Sequence, residues 1–229
     1  MPVKFIRGNI FNSEAQTIVN TVNCVGVMGK GIAFVFKLRY PKMFDLYKEH
    51  CENDQISPGK LWLYKGEKHA PWVLNFPTKN HWKYPSKVEY LELGLEKFLE
   101  TYQQIGIKSI AFPLLGTHNG GLEKDEVLSI MTNYLNQCDI PIEIFEYDPT
   151  SQDKLYDIFT KKWHSVNIEV IKVRTGIRKD KIRLIDEALQ DSNVYSMIDL
   201  ITKKGIGIKT MEKCFSFVMS DHNQTSLFE

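Results

Sequence analysis

The sequence lacks any apolar run that approaches the roughly 18 residues of a membrane span. Its first residues, Met1-Pro2-Val3-Lys4-Phe5, also lack the charged and then apolar pattern of a secretory signal peptide. Both absences argue against a helical membrane protein. We therefore expect a cytoplasmic chain without a membrane partner.

Cysteine is scarce, with four residues among 229. The four are widely spaced, form no C-x-x-C pair and have no histidine cluster near them, which argues against structural zinc and against a disulfide framework. We expect free thiols in a reducing cytosol, and neither a metal nor an organic cofactor. The cysteines are Cys24, Cys51, Cys138 and Cys214.

An excess of charge of one sign is also missing, because 29 Lys and Arg residues stand against 28 Asp and Glu residues. No global basic field predicts nucleic-acid binding, so any such contact has to be local. We also expect no internal repeat and no low-complexity tract. The hydrophobic fraction of 43% is that of a globular protein and argues against wholesale disorder.

The first 164 residues alternate between strand and helix patterns, which predicts an α/β domain with a mostly parallel sheet covered on both faces. Strands are predicted at residues 3–6, 17–22, 61–64, 72–76, 109–115 and 140–147. Helices are predicted at residues 31–39, 41–51, 87–104, 123–136 and 152–161. We place a domain boundary after residue 164.

Residues 165–229 read differently and predict a small, mainly helical region. A short strand at 165–173 is followed by helices near 181–190, 194–204 and 209–219, and residues 221–229 are expected to fray. The segment 174–183 holds five basic residues against one acidic residue, Asp180. Such a run predicts either a solvated connector or a contact with DNA or an acidic partner.

Two loops rich in glycine follow predicted strands. Residues 20–31 read NTVNCVGVMGKG and residues 116–122 read GTHNGGL, and each precedes a predicted helix. Glycines allow a close approach of backbone to ligand, and a helix N-terminus attracts anions. Because ligands collect beyond the carboxyl ends of strands, the two loops together predict a diphosphate held from both sides. Neither matches the P-loop or the dinucleotide-binding pattern.

A third loop, residues 75–85, reads NFPTKNHWKYP and also follows a predicted strand. Lys79 at the strand end is either a plain solvated charge or an amine whose pKa is lowered by burial, ready to act as nucleophile or base. Trp82 and Tyr84 lie among basic residues and either pack on the next helix or stack on the bases of a single strand. Candidate DNA contacts are His81, Trp82, Lys83 and Tyr84.

These motifs, with Gly8-Asn9-Ile10, resemble the macrodomain, an ADP-ribose-binding family, over roughly residues 1–160. The resemblance implies a three-layer α/β/α fold with a mixed, mostly parallel sheet, here for residues 1–164. Within the family, residues 20–33 and the segment from Phe76 to Trp82 look most like DarG-type antitoxins. Those proteins are DNA ADP-ribosyl glycohydrolases, which remove ADP-ribose that a DarT-type toxin has attached to thymidine in single-stranded DNA.

The resemblance also implies residue roles. Lys79 matches the catalytic lysine, Asn9 the adenine contact and Asn23 the contact to the distal ribose. His118 stands where a small residue is usual, and it either crowds the loop or takes part in proton transfer. The expected ligand-binding set is Asn9, Ile10, Asn20, Asn23, Gly26, Val27, Met28, Gly29, Lys30, Gly31, Thr117, His118, Asn119, Gly120 and Gly121.

The resemblance implies an ADP-ribosyl glycohydrolase whose partners are ADP-ribose, ADP-ribosylated single-stranded DNA and a DarT-type toxin. Residues 165–229 are then a reduced toxin-binding region or a helical extension without that role. Two alternative functions stay open at this point. One is a reader that binds ADP-ribose without turnover, and the other is hydrolysis of O-acetyl-ADP-ribose or of ADP-ribosylated acidic side chains.

Overall fold

The computed structural model describes residues 3–66 and 71–220. The chain divides into two compact units, Met1–Asp148 and Pro149–Glu229. The division comes one helix earlier than the predicted boundary after His164, because the helix that follows Asp153 packs with the C-terminal helices. Among the described residues, no helix has both the length and the apolar character needed to cross a membrane.

The first unit is built on a six-stranded sheet with the strand order β1-β6-β5-β2-β4-β3. Neighbouring strands are parallel except for β3, which pairs antiparallel with β4 at one edge. Every strand predicted in this unit is present, with ends shifted by a few residues at most. The strands are β1 (Lys4–Gly8), β2 (Thr17–Val22), β3 (Trp62–Tyr64), β4 (Trp72–Pro77), β5 (Ile110–Pro113) and β6 (Ile142–Tyr147).

Helices cover both faces of this sheet. The strands are buried on both sides, so successive residues such as Val73 and Leu74 on β4 enter different hydrophobic clusters. One cluster takes in α3 and α4, and the other takes in α1 and α2, which gives three layers. The helices are α1 (Gly31–Arg39), α2 (Pro41–Glu52), α3 (Val88–Thr101) and α4 (Lys124–Leu135).

The parallel arrangement sets the position of the loops. Because β2, β4 and β5 are neighbours and run in the same direction, their carboxyl ends meet at one edge of the sheet. The three loops singled out in the sequence follow these three strands. They are called here the first glycine loop (residues 23–31, after β2), the rim loop (78–87, after β4) and the second glycine loop (114–123, after β5).

The second unit is helical throughout its described residues. The predicted strand at 165–173 is wrong: Asn167 accepts a hydrogen bond from the Val170 N–H at 3.0 Å and so begins a helix, which overrides the β-branched residues that suggested a strand. The predicted helix at 194–204 is a shorter 3₁₀ helix, Met197–Thr202. The other helices are α5 (Lys154–His164), α6 (Ile168–Thr175), α7 (Lys179–Leu189) and α8 (Ile208–Met219). The fraying predicted for 221–229 lies outside the described residues.

Candidate active site

The three loops at the carboxyl edge of the sheet contact one another. The rim loop joins the first glycine loop through the Cys24 N–H, which donates to the carbonyl of Asn80 at 3.2 Å. It joins the second glycine loop through the Ser86 N–H, which donates to the carbonyl of Gly120 at 2.9 Å. The two glycine loops meet at Gly31 and Asn119. The structure therefore brings the three predicted motifs into one site.

Asn23 shapes the first glycine loop. Its side-chain oxygen accepts from the N–H groups of Val25 and Val27 at 3.0 and 3.4 Å, and its amide donates to the Val27 carbonyl at 2.5 Å. The buried Tyr47 hydroxyl on α2 donates to the Asn23 carbonyl at 2.6 Å. Asn23 is itself 7% exposed, so in this structure its polar atoms hold the loop. Sequence reasoning missed Tyr47, because nothing local links α2 to this loop.

Gly31 allows the two glycine loops to touch. Its φ is +59°, and a Cβ at this position would lie 2.7 Å from the side-chain nitrogen of Asn119. A larger residue would therefore be strained and would also push the loops apart. Gly31 begins α1. Lys30 is at the N-cap position before it, and the Lys30 side chain makes no capping hydrogen bond. The Lys30 side chain therefore does not compete with a ligand for the first N–H groups of α1.

The second glycine loop lies directly on Ser86. A Cβ on Gly120 would be 2.5 Å from the Ser86 hydroxyl oxygen, so a larger residue would force Ser86 or the loop to shift. This hydroxyl is buried and has no hydrogen-bond partner among the described residues. The loop also holds His118 at a φ of +36°, which is rare for a residue other than glycine, with its ring Nδ1 3.2 Å from the Thr117 hydroxyl. Sequence reasoning missed Ser86, which contacts this loop only through the fold.

The helix after the second glycine loop does not offer the anion site that the sequence predicted. The Glu123 carboxylate accepts from the Asp125 N–H at 2.9 Å and so caps α4 with negative charge. Asp125 and Glu126 add acidic side chains in the first turn. A phosphate is repelled by these groups, so the N–H groups of the second glycine loop itself have to hold any diphosphate from this side.

Lys79 extends from the end of β4 between the two glycine loops. Its Nζ donates to the carbonyl of Asn119 at 2.5 Å. Burial lowers the pKa of the Lys79 ammonium from its ordinary value of 10.5. The hydrogen bond and the lowered pKa both favour the alternative of an amine ready to act as nucleophile or base. The neighbouring Cys24 is not a competing nucleophile, because burial raises the pKa of its thiol to about 12.

The remaining predicted ligand contacts differ in depth. Asn20 is fully buried, and its amide donates to the side-chain oxygen of Asn75 on β4 at 2.9 Å. Met28 and Ile10 enter one hydrophobic cluster below the first glycine loop, and the Asn9 side chain accepts from the backbone of Phe11. Gly26 is partly exposed. The exposed members are Val27, Gly29, Lys30, Gly31, His118, Asn119 and Gly121.

An exposed aromatic cluster borders the site on the rim loop. Trp82 and Tyr84 are 50% and 65% exposed, and the His81 ring lies between them with both ring centroids 5.5 Å away. Lys83 Nζ lies 5.2 Å from the centroid of the Trp82 ring. Packing on the next helix therefore does not explain Trp82. Residues 71–88 contain no Asp or Glu, so the surface is cationic and aromatic.

Within residues 3–66 and 71–220, no group of three His, Cys, Asp or Glu side chains is placed to hold a metal ion.

A family model of the Macro domain matches residues 19–131, which span the three loops. The solved macrodomain of Thermus aquaticus DarG aligns with 63% of this chain and 97% of its own length, at 38% identity and a TM-score of 0.60. The chain belongs to the macrodomain family. The predicted three-layer macrodomain fold is thereby confirmed.

Other relatives of this macrodomain chain are longer. A Thermus aquaticus protein named DNA ADP-ribosyl glycohydrolase is 38% identical over 162 residues, which are 70% of this chain and 45% of that protein. A Thermosipho africanus DNA ADP-ribosyl transferase-DNA ADP-ribosyl glycohydrolase fusion protein is 38% identical over 160 residues, 62% of this chain and 41% of that one. The solved Thermosipho africanus DarTG in complex with ADP-ribose has a TM-score of 0.60 at 38% identity and covers 63% of this chain and 42% of its own. This macrodomain chain spans less than half the length of these two curated relatives.

Proposed function

We propose that this chain is a DNA ADP-ribosyl glycohydrolase that removes ADP-ribose from thymidine bases of single-stranded DNA. The observation that carries the proposal is Lys79, a partly buried amine with a lowered pKa, held between two glycine loops by its hydrogen bond to Asn119. Relatives at 38% identity that carry the name DNA ADP-ribosyl glycohydrolase support the choice of substrate class.

In the proposed complex, the diphosphate lies between the N-terminus of α1 and the N–H groups of the second glycine loop. The distal ribose then extends toward Lys79. Gly31 and Gly120 keep both loops close to the ligand, because any side chain there would meet Asn119 or Ser86. Holding the ribose in this way lowers the entropic part of the barrier for attack at its anomeric carbon.

Lys79 then acts in one of two ways. As a neutral amine, its Nζ forms a bond to C1″ while the bond from C1″ to the base nitrogen breaks. The electron pair stays on the base, which gains the proton that the amine loses, and ring opening gives an imine that water hydrolyses. As an ammonium, Lys79 instead protonates the leaving base while a water molecule attacks C1″. The lowered pKa favours the first route, and reduction by borohydride tests it, since only an imine leaves ADP-ribose bound to Lys79.

The rim loop supplies the proposed contact to DNA. Trp82 and Tyr84 present ring faces on which unpaired bases stack, and Lys83 adds a charge for a phosphate. We expect Trp82→Ala to lower the rate on modified oligonucleotides on the order of tenfold, since one stacked base contributes about 1–3 kcal/mol. The control substrate is a chemically labile conjugate of ADP-ribose that contains no DNA. Its rate of hydrolysis should be the same for Trp82→Ala and for the wild type. An equal loss of rate on both substrates would show that the rim loop does not contribute to DNA recognition.

The proposed setting is that of an antitoxin in the cytoplasm, opposed to a DNA ADP-ribosyl transferase of the DarT type. The support is the Thermosipho africanus relative, whose name joins the two activities in one fusion protein. Residues 165–229 stay a candidate region for binding such a partner. Coexpression with a DarT-type transferase tests the antitoxin role through cell growth, with and without Lys79→Ala.

The deciding experiment follows a single-stranded oligonucleotide with ADP-ribose on one thymidine. We expect the wild-type chain to release the modification and Lys79→Ala to lose at least about 100-fold in rate, the usual share of one acid, base or nucleophile. Lys97→Ala, an exposed lysine on α3, is the matched control and should keep full activity. Binding of free ADP-ribose without any turnover would contradict this proposal and would indicate a reader that binds ADP-ribose without hydrolysis. Turnover confined to O-acetyl-ADP-ribose or to ADP-ribosylated acidic side chains would mean that one of these, and not modified DNA, is the substrate.

A further inference from the structure

The second unit contains an internal repeat, contrary to the expectation from the sequence. Each copy is a helix, a tight hairpin with a glycine at positive φ, and a second helix. In the first copy, α6 is followed by residues 176–178 and α7, with Gly176 at a φ of +61°. In the second copy, the 3₁₀ helix Met197–Thr202 is followed by residues 205–207 and α8, with Gly205 at a φ of +91°.

The two copies match in burial more than in residue type. Counted from Gly176 and from Gly205, each buried side chain of the first copy has a buried counterpart in the second copy, which buries Met197, Phe215 and Val218 in addition. Both glycines are followed by a buried isoleucine, and the helix that comes next then buries the same three positions. The matched pairs are Ile171 with Leu200, Ile177 with Ile206, Ile182 with Met211, Ile185 with Cys214 and Ala188 with Phe217.

The contacts between the copies are reciprocal. Lys213 on α8 donates to the carbonyl of Gly176 in the first hairpin at 2.6 Å. A Cβ on Gly205 in the second hairpin would lie 2.8 Å from Leu184 on α7. Leu184 and Lys213 occupy the same position in their copies. Each hairpin therefore packs on the second helix of the other copy, as a pseudo-twofold axis requires.

Both hairpins are surrounded by cations. Arg174, Lys204 and Lys209 are exposed and have no ion-pair partner within residues 3–66 and 71–220. Lys181 Nζ would lie 3.5 Å from a Cβ on Gly205, so it adds a charge from the opposite copy. The acidic residues nearby do not cancel this charge, because Asp180 faces Arg178 at 3.5 Å and Glu169 pairs with Lys179.

We propose that this two-hairpin surface binds the phosphate backbones of duplex DNA without reading its sequence. A duplex is a polyanion whose two strands are related by twofold symmetry, which matches two cationic hairpins related by a pseudo-twofold axis. Residues 174–179 and 203–209 contain no Asn, Gln, Asp or Glu, the side chains that read adenine and cytosine edges. Contacts confined to phosphates position a protein on DNA but carry no sequence information. The proposal does not depend on hydrolase activity.

An anionic lipid surface is the competing polyanion. Val173 and Ile208 are 83% and 49% exposed near the hairpins, as a membrane-binding surface would have them. A membrane, however, gives no reason for two cationic hairpins that are related by a pseudo-twofold axis. Vesicle binding is therefore the outcome that the experiment has to separate from DNA binding.

The experiment measures the fluorescence anisotropy of a labelled, unmodified duplex of 20 base pairs titrated with the full chain. The duplex has no unpaired bases, so stacking on Trp82 does not contribute. We expect micromolar binding at 50 mM salt that weakens linearly in log–log form as salt rises. The variant Arg174→Ala/Lys209→Ala removes one unpaired cation from each hairpin and should weaken binding on the order of tenfold, with a salt slope smaller by about 1.8.

The matched control is Lys154→Ala/Lys161→Ala, which removes two cations from α5 in the same unit and should leave binding unchanged. Lys204→Gln, which replaces one exposed lysine with a neutral side chain of similar length, is a second variant in case the first misfolds, and circular dichroism melts report folding. Equal losses in test and control would overturn the proposal. So would the absence of duplex binding, whether or not the chain binds vesicles of phosphatidylcholine and phosphatidylglycerol.

Discussion

Gly94 lies in the middle of α3 with its backbone against the ring of Phe76. Phe76 is near the end of β4, three residues before Lys79. At an open helix position, Gly→Ala stabilises a protein by about 1 kcal/mol, because glycine loses more backbone entropy on folding. Here a Cβ would lie 2.9 Å from Cε2 of Phe76, and closer still to Cζ and Cε1. Carbon atoms in contact are normally about 3.5–4.0 Å apart, so the ring or the helix has to move.

Neither of them has room to move. Phe76 is fully buried in the same hydrophobic cluster as Phe98 and Phe112, whose rings pack edge to face, so displacement of one ring disturbs the cluster. Overpacking of a core costs about 1–3 kcal/mol and occasionally more. The cost exceeds the gain from helix propensity. We expect Gly94→Ala to lower the free energy of unfolding by about 2 kcal/mol and the melting temperature by about 4–8 °C.

Urea unfolding of the full chain in a Trp163→Phe background measures this effect. The remaining tryptophans are Trp62, Trp72 and Trp82, all in the first unit, so fluorescence follows that unit alone. The double variant with Phe76→Leu is the control, because it removes the ring that the new methyl group meets. Gly94→Ala should then cost at least about 1 kcal/mol less than it does in the presence of Phe76. A stabilising Gly94→Ala would refute the packing argument.

Three further outcomes follow from buried or shifted polar groups. Asn75→Leu leaves the buried Asn20 amide without its partner, so it should lower the free energy of unfolding by about 1–3 kcal/mol in urea titrations. The Lys203 ammonium holds the pKa of the Asp191 carboxyl at about 2. This pair therefore contributes stability above pH 4 that is lost as the pH falls toward 2. Carbon-13 NMR should find that the pKa of Asp191 is raised in Lys203→Ala. If the neutral Lys79 amine attacks, kcat/KM rises with pH and levels off below 10.5, whereas a profile that falls with pH would assign Lys79 as the acid.

The sheet, and the meeting of the three loops at one of its edges, were predictable from the sequence because their signals are local. The β-branched run of β2 marks a strand, and the glycines and asparagines that follow mark a loop at its carboxyl end. Since neighbouring parallel strands end at one edge, placing the loops together needed no knowledge of side-chain contacts. The helix predicted at residues 87–104 is present as α3, although the contact of Gly94 with Phe76 was not predictable.

Features set by distant contacts were not predictable in this way. Tyr47 reaches the Asn23 carbonyl from α2, and Ser86 lies below Gly120 only because β4 and β5 flank β2. The N-terminus of α4 was misjudged for a local reason. The prediction considered only the N-terminus of a helix as an anion site, whereas the Glu123 carboxylate occupies an N–H group that an anion would need.

The repeat in the second unit escaped sequence analysis because its copies share a pattern of burial rather than of letters, with Gly-Ile as the matched pair at the hairpins. Its proposed role and that of the macrodomain are separable by one comparison. If the hairpins hold duplex DNA, Arg174→Ala/Lys209→Ala should raise KM for a modified single strand that is flanked by duplex and leave kcat unchanged, since the hairpins contact no reacting atom. On a short single strand without duplex, the same variant should match the wild type in both constants. A fall in kcat on the short strand would mean that the second unit acts on the chemistry of the first, and the division of roles would be wrong.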